Sequence, residues 1–152
     1  MEITQYYFLQ PGYIIICKQP FIINTIVGSC ISVCLWDNVN HFGGMNHYIY
    51  AKSLNKIKNG KFGNISTPFL IKSMLEIGCR PENIKAHIIG GGQHPQLSPI
   101  IGEENSKIAS VILEKYKLEI ITNDIGGQIG RKIIFNTKTG EILIQKGMCV
   151  FT

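Results

Sequence analysis

The sequence predicts an α+β fold, a layered α/β sandwich with mixed or antiparallel sheets and about two main helices packed on one side. Short β-branched and aromatic runs bounded by turn residues outnumber helical stretches. Only two segments space their apolar residues as an amphipathic helix does. Two such helices cannot cover both faces of so many strands, which argues against a doubly wound parallel sheet. A length of 152 residues fits one domain spanning 1–152, large enough to fold without a disulfide or metal.

The elements follow in order. Tyr6 to Cys17 reads as extended, interrupted by Pro11-Gly12. Phe21 to Val27, Ile31 to Trp36 and Met45 to Tyr50 read as strands. Thr67 before Pro68 has the form of an N-cap with proline at the first helical position, Leu70, Met74 and Ile77 recur at helical spacing, and Gly78 is a stop, so a helix is expected over 68–77. Ile84 to Ile89 is a strand running into Gly90-Gly91-Gly92. Glu103 and Glu104 open a second helix with Ala109, Ile112, Leu113 and Tyr116 on its apolar face. Strands at Leu118 to Thr122, Arg131 to Asn136 and Glu141 to Gln145 follow, the last two joined by a hairpin turn at Thr137-Lys138-Thr139-Gly140.

Composition narrows the function classes. Apolar residues make up 45% and charged residues 16%, which excludes a disordered or coiled-coil chain. No apolar run is long enough to span a bilayer, and the first residues lack the pattern of a signal peptide, so a soluble, cytoplasmic protein without membrane insertion is expected. The net charge of +5 favours an acidic partner. Its densest basic group, Lys52, Lys56, Lys58 and Lys61, has no interleaved aromatic residues and reads as a solvated loop, not a nucleic-acid surface. Cys17, Cys30, Cys34, Cys79 and Cys149 form no CxxC pair, so neither a disulfide framework nor a metal site is supported, and most read as buried thiols. Gly90-Gly91-Gly92 lacks the spacing of a nucleotide-binding turn.

The segment with chemical content is Thr25 to Asp37, followed by Gly43-Gly44-Met45-Asn46-His47. Gly28 and Ser29 break an apolar run just before Cys30 and would present its thiol at a bend, beside backbone N–H groups able to hold an oxyanion. A thiolate attacks carbonyl carbon while a nearby imidazole takes and returns the proton, parts that Cys30 and His47 could supply. The bland reading is a buried apolar cysteine and a hydrogen-bonded strand histidine. Spacing does not choose the cysteine, because a simple hairpin centred on the Asn38 to Phe42 turn sets Cys34, not Cys30, opposite His47. The glycine bend favours Cys30, and Cys34 inside a strand reads as core. Catalysis by Cys30 would also call for a thiol held below its free range. His41, His87 and His94 read as surface or structural residues, and Asp124 to Arg131 as a tight connection or a loop lining the site, with Arg131 pairing Asp124.

Together, Gly28-Ser29-Cys30, Gly43-Gly44-Met45-Asn46-His47, Gly90-Gly91, Ile101-Gly102-Glu103, Asp124-Ile125-Gly126-Gly127 with Gly130-Arg131, and Lys138-Thr139-Gly140 resemble the CheD family of chemoreceptor glutamine deamidases over nearly the whole chain. The resemblance implies a sandwich similar to the cytotoxic necrotizing factor-like cysteine hydrolases. It implies hydrolysis of glutamine side-chain amides on chemoreceptor cytoplasmic helices, with Cys30 as nucleophile, His47 as general base and acid, and Thr25 as third member. Backbone groups at Ser29 and Cys30 are then oxyanion candidates, and Gly90, Gly91, Gly126 and Gly127 candidates for a substrate or partner loop. No metal or cofactor is implied. A CheC-like phosphatase is the implied partner, and a regulatory binding module engaging it or the receptors, with little catalysis, is the alternative. Glu104 and Gln93-His94-Pro95 depart from the family pattern around that loop.

Overall fold

In the computed structural model, which describes residues 4–53, 57–93 and 100–148, alternating apolar positions sort the strands into two sheets. Lys56, His94, Pro95 and Cys149 lie outside the described residues. The strands are β1 (Gln5–Phe8), β2 (Ile14–Cys17), β3 (Phe21–Val27), β4 (Ile31–Asp37), β5 (Gly43–Asn46), β6 (Ile84–Gly90), β7 (Glu119–Ile125), β8 (Gly130–Asn136) and β9 (Ile142–Met148). The helices are α1 (Gly63–Glu76) and α2 (Ile100–Lys115). One sheet has the order β1-β3-β8-β9 and the other β2-β5-β4-β6-β7. Both are mixed, since β1 lies parallel to β3 and β6 parallel to β7 while the other pairs are antiparallel.

Period-two alternation gives each face of the five-stranded sheet its own core. Ile31, Val33 and Leu35 of β4 and Ile84, Ala86 and Ile88 of β6 pack with Leu70, Ile71 and Met74 of α1 and Ala109, Ile112 and Leu113 of α2. Cys34 of β4 and Ile89 of β6 join Met45, Ile23, Val27, Ile133 and Phe135 in a second core between the sheets. The layers are helix, sheet, sheet, with both helices on one side as the sequence predicts. Burying an Ile or Phe side chain contributes about 1.5–3 kcal/mol, so the two cores dominate folding. The expected hairpin turn at 137–140 joins β8 to β9, and Asp124 meets Arg131.

Four expectations change. The extended stretch from Tyr6 to Cys17 is two strands in different sheets, because the Pro11-Gly12 turn sends the chain from one layer to the other. Helix α1 begins at Gly63, not Pro68, and Thr67 is a buried interior residue that accepts a hydrogen bond from Asn46 Nδ2 at 3.2 Å. Its first turn is made of weak helix formers, but Gly63 N–H and Asn64 N–H donate to the Tyr50 and Ala51 carbonyls at 2.7 and 2.9 Å, so tertiary bonds start the helix early. The strand expected over Met45 to Tyr50 closes at Asn46, with Tyr48 and Tyr50 forming isolated bridges.

The fourth is the β4–β5 register. Cys34 faces Met45, two residues from the expected His47. The Asp37 carboxylate accepts from Val39 N–H and Asn40 N–H at 2.8 and 3.0 Å, and His41 takes a left-handed φ of 59°. This tightens the turn and moves the hairpin centre toward Asp37. A slip of two keeps every side chain on its face while changing its opposite number.

Candidate active site

The bend at 28–30 links β3 of one sheet to β4 of the other, and all three of its carbonyls are tied. Gly28 O accepts from Gly92 N–H at 2.8 Å, Cys30 O from Gly91 N–H at 2.9 Å, and Ser29 O from Asn105 Nδ2 at 2.9 Å. Gly90 has φ +124°, and a Cβ there would run into the Cys30 carbonyl. The close approach explains why a glycine cluster follows β6. Gly90 and Gly91 are therefore buried buttresses of the bend, whereas Gly126 is half-buried and Gly127 exposed. Gly127 O accepts from Gln93 N–H at 2.7 Å, and Gly126 N–H donates to Gly90 O at 2.9 Å, so both glycine clusters meet beside the bend.

His47 follows β5 and is 1% exposed. Its Nδ1 lies 2.7 Å from Thr25 Oγ1, and the Thr25 hydroxyl donates to Leu9 O at 2.7 Å. A hydroxyl has one proton, so Thr25 accepts from His47, which makes Nδ1 the protonated nitrogen and leaves Nε2 with its lone pair. That Nε2 is buried and has no hydrogen-bond partner. Burial pushes the His47 pKa down to about 4, so the imidazole is neutral at pH 7.

Cys30 is placed relative to His47 by register. Ile31 bridges Tyr48 with reciprocal N–H to carbonyl bonds of 3.2 and 3.0 Å, which sets Ser32 opposite His47 and Cys30 on the diagonal. Cys34 is the other diagonal neighbour of His47, but it lies in the middle of β4 opposite Met45 and His87, fully buried, with its sulphur 3.8 Å from Ser32 Oγ. Cys30 is 1% exposed, and burial pushes its thiol up to about 12, opposed by its own backbone N–H bonding to the sulphur. The expected depression is absent, because a sulphur between two sheets loses more hydration than one N–H returns. The resting pair is a neutral thiol and a neutral imidazole.

Three features beside the site were not found from the sequence. Asn105 of α2 is buried and donates to both Ser29 O and Ile49 O, at 2.9 and 2.8 Å. Tyr48 OH donates to the Asn105 carbonyl, and burial together with the neighbouring Cys30 sulphur pushes the Tyr48 phenol well up. A cleft of about 800 Å³ opens between α2 and the chain around Tyr50 to Phe62, with Glu104, Asn105 and Lys107 in its lining. Helical spacing marked Asn105 only as one position of an amphipathic helix, since its partners are distant in sequence.

The other residues singled out in the sequence lie as follows. Cys17, Cys34 and Cys79 are buried free thiols, and among the described residues no cluster could hold a metal. Lys52, Lys58 and Lys61 are exposed. His41 stacks on Trp36, with ring centroids 5.2 Å apart, and His87 is bonded to Thr122 at 2.8 Å. Arg131 is buried, with Nη2 donating to Asp124 Oδ1 at 3.3 Å and to Gly126 O at 2.9 Å, which anchors the glycine loop beside the bend. Among the described residues no helix is long and apolar enough to cross a membrane.

Comparison with known proteins agrees over most of the chain. Residues 50–146 match the family model CheD, described as CheD chemotactic sensory transduction. That segment begins after Thr25, Cys30 and His47. The chain is 37% identical to a protein of Trichlorobacter lovleyi named "Probable chemoreceptor glutamine deamidase CheD", over 93% of this chain and 90% of the relative. It is 32% identical to a protein of the same name from Sulfurimonas denitrificans, over 91% and 92% respectively. A relative from Anaeromyxobacter dehalogenans, "Probable chemoreceptor glutamine deamidase CheD 1", is 30% identical over 91% of this chain and 83% of its own length. On the family match and on these relatives, which it covers over 83–92% of their length, the chain belongs to the CheD family.

Proposed function

We propose that this chain is a chemoreceptor glutamine deamidase that converts selected glutamine side chains on receptor cytoplasmic helices to glutamate, with Cys30 as nucleophile, His47 as proton carrier and Thr25 as its orienting partner. The observation that carries the residue assignment is the state of His47. Its Nδ1–H is fixed by Thr25 and its Nε2 is a buried, unpartnered acceptor on the face shared with Cys30. His87 Nε2 is likewise buried and unpartnered, so what sets His47 apart as the base is its place diagonal to Cys30 at the glycine bend.

The reaction follows from that geometry. As Cys30 Sγ attacks the carboxamide carbon, His47 Nε2 takes the thiol proton. The carbonyl π pair moves onto oxygen, where N–H groups at the Ser29–Cys30 bend hold it. The intermediate collapses to a thioester as the imidazolium gives its proton to the leaving ammonia. Water, deprotonated by the same Nε2, then attacks the thioester and releases glutamate with the thiol restored. Starting from a neutral pair, the thiolate forms only as bond formation begins. The exposed and half-exposed glycines 127 and 126 are suited to contact the substrate backbone near the bend. Family membership supports a CheC-like phosphatase as binding partner. Among the described residues, the raised Cys30 thiol is the one feature on the side of the binding-only alternative, and it is met here by proton transfer to His47 in step with attack.

Mass spectrometry of a receptor cytoplasmic fragment incubated with the protein tests the reading. The expected result is a gain of Glu at defined Gln positions, reduced to background by Cys30→Ala and largely retained by Cys34→Ala. The reverse pattern moves the nucleophile to Cys34. No conversion on several receptors by folded protein overturns the deamidase assignment.

A further inference from the structure

The three carbonyls of the nucleophile bend are held in different ways. Gly28 O and Cys30 O are held by backbone N–H groups of the glycine turn, whereas Ser29 O is held by the side chain of Asn105, 76 residues away in α2. The second Nδ2 proton goes to Ile49 O, two residues beyond His47. Because both neighbours are carbonyls, the amide can point only one way, which leaves Oδ1 buried without a partner. A buried Asn kept at the cost of an unmade hydrogen bond calls for a reason.

Peptide planarity supplies it. The peptide joining Ser29 and Cys30 is trans, so its N–H points opposite to its carbonyl. Asn105 draws the Ser29 carbonyl toward α2, and the Cys30 N–H is thereby turned away from α2, toward the intersheet core to which Cys30 belongs. This N–H belongs to the same residue as the reacting sulphur. A carbonyl carbon bonded to that sulphur would carry its developing oxyanion next to this donor.

We propose that Asn105 is a positioning residue that aims the Cys30 N–H as an oxyanion donor and, through Ile49 O, keeps the bend in register with the chain bearing His47. The inference rests on the deamidase reading and adds to it the device that pre-organises the donor. Pre-organisation matters because a donor aimed in advance needs no reorganisation as charge develops. Asn105 touches neither the reacting sulphur nor the substrate amide; it acts through the peptide it holds.

The test separates oxyanion stabilisation from nucleophile integrity. Alkylation of Cys30 by iodoacetamide displaces iodide and builds no oxyanion on the attacked carbon, whereas amide hydrolysis does. A receptor peptide with glutamate semialdehyde in place of the target glutamine adds Cys30 Sγ to its aldehyde carbon, the oxygen taking the thiol proton, and reads the donor without turnover. For Asn105→Ala and for the shape-conserving Asn105→Asp, kcat for deamidation should fall on the order of 100-fold with KM nearly unchanged. Semialdehyde affinity should fall in parallel and the alkylation rate stay close to wild type, while the melting transition drops because Ser29 O and Ile49 O lose their buried donor. Alkylation falling in step with kcat would make Asn105 merely structural and overturn the proposal, as would an unchanged semialdehyde affinity in both variants. Failure of the deamidase reading shows separately, as a wild-type protein that binds the semialdehyde peptide but does not convert the glutamine peptide.

Discussion

His47 Nδ1 and Thr25 Oγ1 lie 2.7 Å apart, and the Thr25 proton is committed to Leu9 O at the same distance. This chain of two bonds ties the four-stranded sheet, through Thr25 of β3, to the segment after β5 in the five-stranded sheet. It fixes both the ring orientation and the tautomer of the imidazole. Arg131 plays a comparable anchoring part at the rim, holding the Gly126 carbonyl while paired with Asp124.

Thr25→Val keeps the shape of the residue and removes the hydroxyl. The variant is expected to lose about 1–3 kcal/mol of stability, because a ring N–H and the Leu9 carbonyl are left unpaired in the core. Its kcat should fall by about 100-fold, the contribution of a misaligned general base. Thr25→Ser, which restores the oxygen, should recover most of the rate. Equal activity in the valine and serine variants, measured by ammonia release, would remove Thr25 from the site.

Acid should weaken the fold through two imidazoles. His47 and His87 are both held down to about 4 by burial, against an ordinary value of 6.5. Below about pH 6.5 the unfolded chain takes up protons that the folded chain refuses, so their contribution is complete above that pH and is lost as pH falls toward 4, by roughly 3 kcal/mol per histidine. Urea midpoints measured at pH 7.5 and pH 5 should show the loss. The acid limb of kcat/KM should likewise lie well below 6.5, reporting the free enzyme's His47. Equal midpoints at the two pH values would mean that these imidazoles ionise normally in the folded protein.

Gly90 and Gly78 both have positive φ, +124° and +104°, but only Gly90 faces the Cys30 carbonyl, and nothing lies within 4 Å of a Cβ at Gly78. Gly78→Ala should therefore cost about 1 kcal/mol in backbone strain alone and leave the rate intact. Gly90→Ala should cost several-fold more and lower activity, because its methyl group displaces the bend that bears the nucleophile. Denaturant titration and assay of the two variants side by side check both halves; a Gly90→Ala protein as active as Gly78→Ala would separate the glycine turn from the site.

The parts of this protein written into short windows of sequence are its strands, its two helices on one side of the sheets, the turn at 137–140, and the bend that puts Cys30 after Gly28-Ser29. Local periodicity and turn chemistry report which face a residue takes, and they do so without knowledge of its partners. For the candidate site, the glycine bend favours Cys30 over Cys34, the family resemblance carries the same choice with His47, and the resemblance alone adds Thr25. What tertiary structure alone decided is every relation between distant segments: the two-residue slip drawn in by Asp37, the early start of α1 on the Tyr50 and Ala51 carbonyls, the separation of β1 from β2 into different sheets, and the hold of Asn105 on Ser29. The raised Cys30 thiol belongs with these, because it comes from the second sheet closing over the sulphur. A hydrogen bond spanning 76 residues leaves no period in the sequence, and only the packed layers bring its two ends together.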